Sequence, residues 1–68
     1  MTTTQLPALF AAQRADGETW DTINREIERA LDAGDLATAD VLLAECEAVM
    51  ATVRARSQLI RQIAEGSR

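Results

Sequence analysis

Beyond Gly34, apolar residues fall at Ala39, Leu43, Cys46, Met50, Val53, Ile60 and Ala64, in steps of three and four broken only by the polar Ser57. That spacing holds one stripe on one side of an α-helix and predicts a single helix over residues 36–65, about 45 Å long. A second apolar line, Leu36, Leu42, Val49, Leu59 and Ile63, runs beside the first. The combined face is wider than one neighbouring helix covers, as in a helix inside a bundle. Gly66-Ser67-Arg68 reads as a frayed end.

Before Gly34, the apolar residues Trp20, Ile23, Ile27, Ala30 and Leu31 mark another helix, with Asp21, Arg25, Glu26, Glu28, Arg29 and Asp32 on its other faces. Leu6, Leu9 and Phe10 continue the same phase upstream. Pro7 suits a first helical turn, with Thr4 or Gln5 just outside it and residues 1–5 a flexible N-terminus. Gly17, within Asp16-Gly17-Glu18-Thr19, costs about 1 kcal/mol relative to alanine in a helix. It leaves two readings: one helix over residues 6–33, or a break at 16–18 with Asp16 or Thr19 capping a new start. The unbroken phase favours a continuous or slightly kinked helix.

Between the two helices, Ala33-Gly34-Asp35 offers a glycine to end one and an aspartate to cap the next. The predicted fold is all-α: an antiparallel helical hairpin, with two copies pairing into a four-helix bundle as a homodimer. The expected core and dimer positions are Trp20, Ile23, Ile27, Leu31, Leu43, Cys46, Met50, Val53 and Ile60.

Length sharpens the case for a dimer. A chain of 68 residues buries only around 60% of the surface it exposes unfolded, so small scaffolds add disulfides, a metal or a partner. Cys46 is the only cysteine and there is no histidine. An internal disulfide is therefore impossible, the usual zinc sites have no ligands, and oligomerisation remains. No cofactor or metal is expected. The opening residues lack the pattern of a secretory signal and no segment approaches a membrane span, so the expectation is a cytoplasmic protein of the cell that makes it.

The net charge of −4, from eleven acidic and seven basic residues, argues against phosphate-contacting nucleic-acid binding and for a protein partner. All basic residues are arginine, which we read as coding bias. Without histidine the common nucleophile and base pairs cannot form, and there is no glycine-rich phosphate loop; the protein is expected not to be an enzyme. Cys46 on the apolar stripe reads as a small buried hydrophobe, and Trp20 as a core anchor or an interface hot spot. Folding the hairpin gathers Glu26, Glu28, Asp32, Asp35, Asp40, Glu45 and Glu47 toward the turn, and Arg14, Arg54, Arg56 and Arg61 toward the open end. The turn sequence also resembles the hairpin of helical repeat proteins, a local likeness of low specificity, since a lone repeat is not stable.

Met1-Thr2, Thr4, Leu6, Leu9, Arg14 and Trp20, on a helical chain of this length, resemble the quorum-sensing anti-activators of Pseudomonas phages. The resemblance implies a dimeric helical protein that binds a host LuxR-type transcription activator, LasR, and stops it engaging DNA. It also implies a second target, the motor ATPase of type IV pili. No contact residues carry over. From helix geometry, Leu42, Val49, Arg54 and Arg56 are the expected partner-binding positions, taken as exposed and outside the hairpin seam. The alternatives are a sponge for signalling nucleotides, using arginines at a dimer seam, and a structural or assembly component.

Overall fold

The computed structural model describes residues 3–66. It is all-helical: a 3-10 turn over Thr3–Gln5, α1 over Leu6–Asp32 and α2 over Leu36–Gly66, packed antiparallel. The hairpin is 51 Å long and 15 by 12 Å across. Part of the expected flexible N-terminus is thus a 3-10 turn, while Met1, Thr2 and the expected frayed Ser67-Arg68 lie outside the described residues. No helix among the described residues is long and apolar enough to cross a membrane.

α1 runs unbroken through Gly17. Neither suggested cap is used as one: the Thr19 hydroxyl donates back to the Ala15 carbonyl at 3.1 Å, as a threonine inside a helix does. The Asp16 carboxylate reaches across to Arg56 instead.

The turn is a Schellman motif. The amide of Asp35 donates to the Ala30 carbonyl at 2.8 Å and that of Gly34 to Leu31 at 3.0 Å, with Gly34 at φ +72°. A side chain at Gly34 would meet no atom within 4 Å, so only the backbone conformation demands glycine. Gly34→Ala is therefore expected to cost about 1–2 kcal/mol, the penalty for an L-residue in the left-handed region, read as a lower urea midpoint.

Asp35 starts α2. Its Oδ1 accepts the Thr38 amide at 3.1 Å and its Oδ2 accepts the Thr38 hydroxyl at 2.6 Å. These bonds, the hydroxyl's first, hold the carboxyl below its ordinary value of 3.8. A depressed folded pKa means the cap contributes in full above that value and is lost as pH falls through the folded pKa. The hairpin is expected to lose helicity below about pH 4, and Asp35→Ala to lower the neutral-pH melting temperature and flatten that acid limb.

α1 presents Leu6, Leu9, Gln13, Asp16, Trp20, Ile23, Ile27 and Ala30 along the seam. α2 presents Ala39, Leu42, Cys46, Val49, Val53, Arg56, Ile60 and Ile63. Each heptad back along α1 is matched by one forward along α2: Ile27 lies by Leu42, and Gln13 by Arg56. Ile23, Ile27 and Leu42 form the core, with Cys46 and Val49 half-buried against it. The seam of α2 therefore follows Leu42 and Val49, where the spacing predicted Leu43 and Met50. Leu42 is 9% exposed and Leu43 47%. The two lines lie one residue apart and both are apolar, so only the opposing helix selects between them.

Candidate interaction surfaces

One seam layer is polar. Gln13 and Asp16 face Arg56, whose guanidinium donates to Gln13 Oε1 at 2.8 Å and to Asp16 Oδ2 at 2.5 Å. Gln13 Nε2 donates in turn to Ser57 Oγ at 2.9 Å and to the Val53 carbonyl at 3.3 Å. The Arg56 and Asp16 side chains are 18% and 29% exposed, half-withdrawn from solvent and paired with one another. Arg56 is thus not an arginine held open for a nucleotide. Among the described residues this is the one ion pair.

The two sides of the hairpin differ. On one, the positions flanking the seam are Phe10, Gly17, Asn24 and Leu31 on α1, and Leu36, Leu43, Met50, Ser57 and Ala64 on α2. Phe10, Leu31, Leu36 and Leu43 are exposed there, and Trp20 leans out beside them at 38%. A groove of about 310 Å³ opens at mid-length between Gly17, Trp20, Val49, Met50 and Val53, with Gln13 and Asp16 along its wall. Gly17 has open space where a side chain would be, and that space is part of the groove. On the opposite side the flanking positions include Thr19, Glu26, Thr38, Glu45 and Thr52, all exposed. A shallower hollow of about 390 Å³ lies there near the turn, bordered by Glu26, Arg29, Asp35 and Thr38.

Every acidic residue from Glu18 to Glu47 is exposed. The hairpin is therefore acidic over its turn half. Arg14, Arg54 and Arg61 are exposed toward the open end. No group of three or more acidic or cysteine side chains among the described residues is placed to hold a metal ion.

The partner-binding positions expected from the sequence are not brought together on the outside. Leu42 is buried between the helices, Val49 is half-buried against the core, and Arg56 is tied to Asp16 and Gln13. Only Arg54 is exposed. The error has one cause: α2 is rotated about its axis relative to the expected phase. The expected core and dimer positions divide between the seam and the apolar side. Ile23 and Ile27 are buried, and Cys46, Met50, Val53 and Ile60 are half-buried. Trp20, Leu31 and Leu43 lie outside the hairpin core, on its apolar side. The polar layer had a signal in the sequence: Gln13 and Asp16 interrupt the apolar line of α1 at the distance from Gly34 at which Arg56 interrupts that of α2.

Compared with known proteins, the chain matches no family model, no curated protein and no solved structure.

Proposed function

We propose that the protein is a non-catalytic inhibitory binding protein that works as a homodimer and covers a basic surface of another protein. The observation that carries this reading is the exposed acidic turn half, where nine carboxylates from Glu18 to Glu47 are accompanied only by Arg25 and Arg29. None of the nine is in an ion pair among the described residues. Such a surface meets a DNA-binding face as a nucleic-acid backbone would, by its sign and density of charge.

Dimerisation is supported by the apolar side and by the area left wet. The chain exposes 4944 Å², where a compact monomer of 7.4 kDa would expose about 4200 Å². The excess is close to the roughly 800 Å² that each partner contributes to a standard interface. The resemblance to the anti-activators supplies the first target to try, the DNA-binding activator LasR of the host, with the pilus motor ATPase second.

The test is light scattering after size exclusion, on the protein alone and mixed with LasR, followed by the neutralised variant Glu26→Gln/Asp32→Asn/Glu45→Gln. A complex that the neutralised variant fails to form, with helicity retained, supports the reading. Equal binding by that variant would remove the acidic surface as the cause. Failure of the wild type to bind either target would remove the partners that the resemblance supplies.

A further inference from the structure

The charges bordering the apolar side recur every seven residues: Arg14, Asp21 and Glu28 along α1, and Asp40, Glu47, Arg54 and Arg61 along α2. All seven are exposed and none has an ion-pair partner among the described residues. A spacing of seven places them on one edge of each helix, too far apart to pair along it. Their signs change at mid-length, acidic toward the turn and basic toward the open end. This pattern decides how two such surfaces can meet.

We infer that a second copy of this chain docks antiparallel on the apolar side, α1 on α1 and α2 on α2, with the two-fold axis crossing next to Met50. About that axis Asp40 meets the partner's Arg61 and Glu47 meets the partner's Arg54, and each pair is made twice. The same axis crosses α1 between Glu18 and Thr19, because Trp20 lies level with Val49 across the seam. It therefore sets Trp20 over the partner's Gly17, the glycine that holds the groove open. Charge pairing and aromatic seating were not chosen together, and one axis satisfies both.

The other two-fold arrangement, with both turns at the same end, lays α1 over the partner's α2. It brings Arg14 against the partner's Arg54, Asp21 against Glu47 and Glu28 against Asp40. Every contact is then between like charges, which is repulsive across an interface. The inference rests on the homodimer of the proposed function and adds its orientation and its contacts.

Charge reversal separates the arrangements, with dimer affinity measured by sedimentation over a dilution series and helicity by circular dichroism. Glu47→Arg and Arg54→Glu are each expected to weaken the dimer about tenfold, since each turns two symmetry-related attractions into repulsions. The double variant Glu47→Arg/Arg54→Glu restores it, and the differences shrink in about 1 M salt. A Cβ at Gly17 meets no atom of its own chain within 4 Å and leucine is a better helix former than glycine, so Gly17→Leu keeps the hairpin helical while filling the groove that receives the partner's Trp20. It is expected to weaken the dimer by tenfold or more and to hold the emission of Trp20, the only tryptophan, at its red-shifted, diluted position. Tighter dimers from the single reversals would overturn the antiparallel arrangement and leave the homodimer standing. A wild type that stays monomeric at the highest concentration would overturn both.

Discussion

Leu42→Ala is expected to cost about 2–4 kcal/mol, the usual loss for a buried leucine truncated in place. A core this small rarely supplies more than about 3–5 kcal/mol in total, so most of the helicity should disappear at room temperature. Leu42 forms the core cluster with Ile23 and Ile27 of the opposite helix. Leu43→Ala, one residue on, removes the same atoms from a side chain that is 47% exposed on the apolar side, so its cost should fall on the proposed dimer, and at dilutions where the chain is monomeric the helicity of the hairpin should be nearly unchanged. Paired urea titrations followed by circular dichroism read the contrast. Equal losses at the two positions would mean that α2 presents a different face to α1.

The second large effect is at Arg56, where two substitutions should move stability in opposite directions. Arg56→Ala strands the Asp16 carboxylate beside the seam and removes the donor to Gln13. A fully buried pair broken this way costs about 3–5 kcal/mol; with both partners part-exposed, about 1–2 kcal/mol is the expected loss. Replacing the whole layer, Gln13→Leu/Asp16→Leu/Arg56→Leu, removes the desolvated charges together and should instead stabilise by about 1–3 kcal/mol. The triple variant gives up the one layer that distinguishes a position along the seam from its neighbours, and is expected to populate more than one oligomeric species by light scattering. A neutral Arg56→Ala would show that the layer positions nothing.

These two sites also mark where the sequence is legible and where it is not. The helices, the turn at Gly34, the cap at Asp35 and the continuity through Gly17 follow from local rules: spacing, a left-handed glycine, a carboxylate three residues before Thr38. The choice between Leu42 and Leu43, or between Val49 and Met50, is not local. Both lines of α2 are apolar, and because Cys46, Val53 and Ile60 belong to either choice, exchanging Leu42 and Val49 for Leu43 and Met50 turns the seam by only about 50°, half the angle between neighbouring residues. What bears on it lies on α1, where Gln13 Oε1 and the Asp16 carboxylate accept from Arg56. The surface positions inherited the same ambiguity, which is why three of the four expected contact residues proved to be inward or spoken for. The charged edge escaped notice for another reason: its meaning appears only when a second copy is brought against it.

The matched register has a kinetic consequence. Since the residues facing each other are separated by more chain at every layer away from Gly34, the loop closed by each contact lengthens steadily toward the open end. Ala30 and Ala39 close almost none, whereas Leu6 and Ile63 close nearly the whole chain. The hairpin should therefore zip from the turn outward. Substitutions at Ala30 or Ala39 would then slow folding, and Ile63→Val would chiefly speed unfolding. In the proposed antiparallel pair each copy's last-formed end would lie against its partner's first-formed end, so that the region slowest to assemble in one chain would be held by the region quickest to assemble in the other.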